Sequence, residues 1–256
     1  MLPNVHPYLD APRPIAFAHR GGAAVGDENT PAAFARAISA GYRYVETDVH
    51  ATSDGVVVVF HDKTLHRMLG RPGRVRDVSW ADLRSVRDGG ATVVPRLDEV
   101  LEEWPNVRFN IDVKADPAVG PTVDLVRRAG VEKRVLLASF SDRRLARIRK
   151  EFGPELATSM GKREVARLWL AARLRRPPRI PAGVVAAQVP WRQGRITVVD
   201  EAFVSMAHRL GLQVHVWTID DPRAMHHLLD LGVDGIMTDR IEILREVYTA
   251  RGAWFS

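Results

Sequence analysis

Cysteine is absent from these 256 residues. That excludes disulfide scaffolds, thiolate metal centres and cysteine nucleophiles, and it agrees with a reducing compartment. Long apolar runs are missing too. Met1 to Arg20 contains Pro3, Pro7, Pro12 and Pro14 but no stretch of signal-peptide length, and no later segment is apolar enough to span a bilayer. A cytoplasmic location follows as the default. Neither sign of charge forms a long block. The 37 Lys and Arg against 31 Asp and Glu leave a net charge of +6, enough to steer an anionic small molecule but too dispersed for a nucleic-acid-binding tail. No nucleic-acid-binding motif is recognisable, so DNA and RNA are not expected partners. Oligomeric state leaves no mark on the sequence.

What is present is bulk and rhythm. With 46% hydrophobic and 27% charged side chains, residues 1–256 can build one large domain around a sizeable core. Short β-branched runs alternate with segments of helical period. Strand-like runs fall at Ile15 to Ala18, Tyr44 to Val49, Arg108 to Lys114, Val135 to Phe140, Leu156 to Ser159, Val184 to Val189, Gln213 to Thr218 and Gly235 to Thr238. Helical patterns follow them, beginning with Pro31 to Ala40 and ending with Ile241 to Thr249. Eight such pairs in roughly 250 residues match a TIM (β/α)8 barrel. Doubly wound parallel sheets share the alternation, but no G-x-G-x-x-G or P-loop follows the first strand. The second pair is interrupted: Val56 to Phe60 reads as an extra extended run, and the polar, Gly- and Arg-rich stretch to Pro95 reads as a small insertion, residues 56–95, over one end of the barrel.

Chemistry-bearing residues gather at the expected carboxyl ends of strands, the catalytic rim of a barrel. His19 and Arg20 close the first strand and run into Gly21-Gly22, where a ligand can approach the backbone. Glu46 and Asp48 are two residues apart and share one face of the second strand. Side by side, two carboxylates repel unless a cation or proton lies between them. Asp112 and Lys114 repeat the spacing on the third strand, and three carboxylates from adjacent strands suit Mg²⁺ or Ca²⁺. His61, with Asp62, adds a second group able to titrate near neutral pH. Phe140, Gln188 and Trp217 stand at later strand ends, where they can wall a pocket. His215 reads as an interior hydrogen-bonded histidine, while Asp234 and Asp239 read first as turn and cap residues.

The runs His19-Arg20-Gly21-Gly22, Glu28-Asn29-Thr30, Glu46-Thr47-Asp48-Val49 and Phe60-His61-Asp62 resemble the signature of the glycerophosphodiester phosphodiesterase family. The resemblance continues through Pro95-Arg96-Leu97-Asp98-Glu99-Val100-Leu101, Asn110-Ile111-Asp112-Val113-Lys114, Ser139-Phe140, Val216-Trp217-Thr218 and Gly232-Val233-Asp234-Gly235-Ile236-Met237-Thr238-Asp239. It implies a metal-dependent phosphodiesterase with a TIM barrel and a small extra lobe. Its small-molecule substrate would be a glycerophosphodiester and its products glycerol phosphate and an alcohol. It also implies that His19 and His61 are the acid and base, since cleaving a phosphodiester calls for one group to deprotonate the attacking oxygen and one to protonate the leaving oxygen. Glu46, Asp48 and Asp112 would hold Mg²⁺ or Ca²⁺, Arg20 and Lys114 phosphate, and Glu28 would orient a histidine, a cation or the substrate glycerol. Asp112 departs from the usual glutamate by one methylene.

Two other functions fit the same chain. A phospholipase D-like enzyme acting on lysophospholipids would reuse the same histidines and metal, and the choice turns on pocket shape. A catalytically inactive barrel serving as a binding module would lack at least one core residue, and none is missing. A weak peripheral contact with anionic membrane is a further expectation. It rests on the basic turn Arg175-Arg176-Pro177-Pro178-Arg179 after the amphipathic stretch Arg163 to Leu174.

Overall fold

The computed structural model describes residues 6–88 and 91–255. Its centre is a closed barrel of eight parallel strands. These are β1 (Ile15–Ala18), β2 (Tyr44–Ala51), β4 (Arg108–Val113), β5 (Val135–Ala138), β6 (Ala157–Ser159), β7 (Val184–Pro190), β8 (Gln213–Trp217) and β9 (Gly235–Thr238). Closure comes from β1, which pairs with β9 from Ile15 opposite Gly235 to Ala18 opposite Thr238, and with β2 through Phe17 and Tyr44. A short antiparallel strand, β3 (Val57–Val59), adds to β2 outside the barrel. The extended run expected at Val56 to Phe60 is therefore a sheet extension rather than a barrel strand.

Val, Ile and Leu dominate the strands because both faces are covered, one by the barrel interior and one by helices. The outer ring is α1 (Pro31–Ser39), α2 (Leu97–Glu103), α3 (Val119–Ala129), α4 (Asp142–Phe152), α5 (Lys162–Leu174), α6 (Glu201–Arg209), α7 (Pro222–Asp230) and α8 (Ile241–Ala250). Their starts are written locally. Thr30, Ser141, Asp200 and Asp221 each accept a hydrogen bond from a backbone N–H of the first turn, and Pro31 and Pro222 supply a preset φ at the first helical position.

The main core lies between strands and helices, while Tyr8, Phe17, Tyr44, Leu136, Ala186 and Met237 belong to a separate cluster within the barrel. At Gly235 a Cβ would come within 2.8 Å of Phe17, so only glycine lets the two neighbouring strands approach there. Residues 56–95 contain two short helices, His66–Leu69 and Trp80–Arg84, around a third cluster of Val58, Phe60, Leu65, Val75, Leu83 and Val94. The described residues of this stretch thus form a lobe with its own small cluster, and they reach the loop after the first strand where Arg67 pairs with Glu28. No helix among the described residues is long and apolar enough to cross a membrane.

Candidate active site

One pocket of about 200 Å³ opens at the carboxyl ends of the strands, lined by His19, Arg20, Glu46, Asp48, His61, Asp112, Lys114, Phe140, Gln188 and Trp217 among others. Parallel pairing of β2 with β4 sets Asp48 directly opposite Asp112 and Glu46 opposite Asn110. Three carboxylates are thereby brought to neighbouring positions by register alone. Of the residues expected to be catalytic, metal-holding or substrate-binding, Glu28 alone does not line the pocket; it stands behind Arg20, accepting from Nη1 at 3.0 Å.

The turn after β1 is strained, with Arg20 at φ 52 and Gly21 and Gly22 at φ 84 and 87. A non-glycine residue in the left-handed region costs on the order of 1 kcal/mol or more and persists only where its surroundings impose it. Here they do. The Arg20 N–H donates to Glu46 Oε2 at 3.1 Å, its carbonyl accepts from the Asn29 N–H at 2.9 Å, and its Nε lies 3.3 Å from Asp48 Oδ2 without the alignment of a hydrogen bond. Asn29 in turn donates to Asp48 Oδ2 at 2.9 Å and accepts from Thr47 at 2.7 Å.

The two histidines have the same arrangement on different supports. His19 Nδ1 meets Asp239 Oδ1 at 2.7 Å, and its Nε2 lies 3.7 Å from Glu46. His61 Nδ1 meets Asp62 Oδ1, also at 2.7 Å. With each Nδ1 engaged by a carboxylate, each Nε2 is the nitrogen left for exchange with a ligand. Burial pushes the His19 imidazole down, but the Glu46 and Asp239 carboxylates outweigh it and leave its pKa above the ordinary value. Asp62 is held down to about 2, chiefly by the Arg67 guanidinium, which also grips Glu28 at 2.6 Å. Asp239, read from sequence as a cap, instead accepts from His19, and Arg67 was not singled out at all. Asp239 could have been found as the carboxylate ending the last strand next to His19 in a closed barrel; a lone arginine in the insertion gives no signal.

Lys114 Nζ bridges Asp48 Oδ1 and Asp112 Oδ2 at 2.7 Å each, and these acids hold its pKa above the usual range against its burial. Glu46 is pushed up by burial and then by the neighbouring Asp48, whereas in Asp48 the cations Lys114 and Arg20 overcome burial and lower it. Asp112 Oδ1 is buried with no hydrogen-bond partner. Among the described residues no three His, Asp or Glu side chains converge tightly enough to enclose a metal ion, and Lys114 takes one oxygen each of Asp48 and Asp112. The donor chemistry nevertheless fits a divalent cation: three neighbouring carboxylates, one with an unpartnered oxygen and one disfavoured as an anion by its neighbour.

Phe140 and Trp217 meet edge to face with centroids 5.5 Å apart and form the apolar wall. Gln188 sits in a polar chain that leads into the barrel: it accepts from Asn110 at 3.3 Å and contacts His215 Nδ1 at 3.3 Å, and His215 Nε2 donates to Gln213 at 2.9 Å. His215 is the buried interior histidine expected, and burial lowers its pKa to about 4. His50 is buried beside the site, 3.2 Å from the His61 carbonyl, and lines a neighbouring cavity rather than the catalytic pocket. Asp234 is structural, accepting from Arg13 and His208.

The profile of the Glycerophosphoryl diester phosphodiesterase family matches residues 19–243. The chain is 41% identical over 245 residues to the probable glycerophosphodiester phosphodiesterase 2 of Mycobacterium tuberculosis, covering 94% of this chain and 92% of that protein. A solved putative glycerophosphoryl diester phosphodiesterase from Silicibacter pomeroyi superposes with a TM-score of 0.80 at 24% identity, covering 98% of each chain. A phosphodiesterase from Oleispira antarctica, solved in complex with the product sn-glycerol-3-phosphate, superposes with a TM-score of 0.72 at 22% identity over 93% of this chain and 97% of that one.

Proposed function

The chain belongs to the glycerophosphoryl diester phosphodiesterase family, and from that premise we propose that this enzyme hydrolyses glycerophosphodiesters to glycerol phosphate and an alcohol, with His19 and His61 moving the protons. The observation that carries the reading is the shared pocket in which two carboxylate-backed histidines face two cations and three carboxylates. Arg20 and Lys114 supply the positive charge that a phosphodiester needs. One histidine takes the proton of the attacking oxygen through Nε2 and the other returns a proton to the leaving oxygen. Asp239 and Asp62 hold Nδ1 and so keep each ring in the tautomer and orientation for that exchange. Glu28 keeps Arg20 and Arg67 in place.

Glu46, Asp48 and Asp112 are the residues that would hold a divalent cation, Mg²⁺ or Ca²⁺, with Lys114 released toward phosphate. Such a cation, when bound, supplies charge stabilisation at the phosphoryl oxygens. The shorter reach of Asp112 bears on which cation is preferred.

A second reading, cleavage of lysophospholipids, is favoured by one observation. An apolar groove of about 390 Å³ leaves the pocket at Phe140, Met160, Gln188 and Trp217 and runs past Val165, Trp169, Ile196 and Val198. A single acyl chain lying there would have apolar area removed from water and gain about 0.8 kcal/mol per buried methylene.

The test is turnover of glycerophosphocholine, glycerophosphoethanolamine, glycerophosphoglycerol and lysophospholipids by one preparation, before and after chelation and with Mg²⁺ or Ca²⁺ restored. The expected result is hydrolysis that chelation stops and a divalent cation restores. Full activity after exhaustive chelation would overturn the metal assignment, and no turnover of any glycerophosphodiester would overturn the substrate assignment.

A further inference from the structure

Beside the catalytic pocket, and sharing Lys114 with it, residues of the 63–76 segment and of the barrel rim line a second, solvent-open cavity of about 890 Å³. Its charge is lopsided. The described residues that line it include the cations Lys63, Arg74, Arg76, Lys114, Arg143 and Arg144 against one carboxylate, Asp116, although the chain as a whole is close to parity. Asp116 is already shared by Arg143 and Arg144, the latter at 2.8 Å. Arg76 lies 3.5 Å from Asp77, and Lys114 is held by Asp48 and Asp112. Lys63 and Arg74 have no ion pair with any described residue.

The backbone that carries these two exposed cations is held in place. The Val75 N–H donates to the Lys63 carbonyl at 3.2 Å, the Leu65 N–H donates to the Gly73 carbonyl at 3.1 Å, and Thr64 and Arg74 form an antiparallel bridge. The two segments therefore lie side by side and present Lys63 and Arg74 to the same cleft. A concave, one-signed surface with protein walls focuses potential and concentrates anions.

Continuity with the catalytic pocket decides which anion. Lys114 lines both cavities, and Lys63 stands two residues from His61. The other flank of the pocket is walled by Phe140, Met160 and Trp217, which suit the carbons of glycerol. A glycerol on that flank, with phosphorus between the histidines, would leave the departing alcohol free to extend toward the cavity that shares Lys114 and holds Lys63 and Arg74. We propose that this basic cleft is an anion subsite that accepts a leaving alcohol carrying its own phosphate group. The assignment rests on the glycerophosphodiesterase reading and narrows it to phosphorylated head groups. Free phosphate compounds share the same chemistry, so the test separates the two sources.

Glycerophosphoinositol and glycerophosphoinositol 4-phosphate differ by one phosphate and make a direct pair. Hydrogen bonds to charged groups contribute enough that kcat/KM should be about 10-fold or more higher for the phosphorylated member. Arg74→Glu, and Lys63→Gln combined with Arg74→Gln, should bring that ratio close to one while leaving glycerophosphoinositol turnover within about twofold, with unchanged thermal melting as the fold control. Equal kcat/KM for both substrates in the native enzyme, or a ratio that survives both variants, would overturn the subsite. Inorganic pyrophosphate is the second arm. It should bind calorimetrically, lose affinity in Arg74→Glu, and compete with the phosphorylated substrate. Binding that changes turnover without such competition would assign the cleft to a free anion and overturn the leaving-group role. Were neither glycerophosphoinositol substrate cleaved, the parent reading would fail for this pair, while pyrophosphate affinity and its loss in Arg74→Glu would still report on the cleft.

Discussion

The two halves of the site are built by different means. The barrel half, His19 with Glu46, Asp48 and Asp112, sits on strand ends and is fixed by partners far away in sequence: Asp239 for His19, Arg20 and Asn29 for Asp48. The lobe half, His61, is backed by its own neighbour Asp62, which Arg67 holds from five residues on. Exposure follows the same division, the His19 side chain being 14% exposed and His61 32%. A rigid sheet preorganises the first half, while the second depends on short local contacts and on the Arg67–Glu28 link that ties lobe to barrel. The comparison teaches that two histidines backed by carboxylates in the same way can rest on supports of very different reach in sequence.

The largest expected effect removes the comparison altogether. His19→Ala and His61→Ala should each lower kcat by on the order of 10²- to 10⁴-fold, the typical weight of a general acid or base, while divalent-ion affinity measured by calorimetry stays near native. Near-normal kcat in either variant with saturating metal would show that the two are not the proton-transfer pair.

Changing the supports should separate the halves. Asp239→Asn is expected to lower kcat by roughly 10²- to 10⁴-fold, since a carboxylate that fixes the tautomer of an acid–base histidine can carry that much of the rate. Arg67→Ala weakens a half-exposed ion-pair network worth about 0.2–1 kcal/mol per pair, so its loss should be only a few-fold. A larger loss from Arg67→Ala than from Asp239→Asn would reverse the assignment of rigid and adjustable halves.

The barrel interior has a pH signature of its own. Unfolded, His215 takes up a proton near its ordinary pKa; folded and buried, it does so only near 4. Its contribution to stability is therefore intact above about pH 6.5 and is lost as pH falls toward 4, at up to about 1.4 kcal/mol per pH unit. Urea unfolding of the native protein and His215→Asn between pH 7.5 and 5 should show the shallower pH dependence in the variant. Parallel curves would mean His215 stays neutral in both states or charges in both.

The smallest expected effect lies outside the site. Arg175, Arg176 and Arg179 are exposed in the turn after α5, beside Leu170 at 52% and Leu174 at 59% exposure. Basic residues near an anionic surface contribute about 1 kcal/mol each. The protein should therefore co-sediment weakly with anionic liposomes at low salt and not with neutral ones. Arg175→Glu with Arg176→Glu should reduce that association without altering kcat on soluble substrates. Binding that ignores the charge reversal would leave these arginines as a solvated helix end.

The barrel itself was legible in the order of residues because each strand and helix carries its own period, caps and breakers, and those signals act over a few residues. So were the site residues that end strands, since a β-strand's alternation puts Glu46 and Asp48 on one face wherever the strand lies. The strand boundaries drifted by a residue or two, as at Phe140 and Thr218, which lie just past the last paired residues Ala138 and Trp217. Asp239 could be read only as a cap, because its contact with His19 spans 220 residues and exists only once β1 closes against β9. Arg67 was invisible for a similar reason, its role depending on how the lobe lies over Glu28. Which oxygens of the three carboxylates are free, and that Lys114 takes two of them, was likewise decided by register and packing. Local sequence determines what each segment can become; the distances between charges that belong to different segments exist only after closure of the barrel.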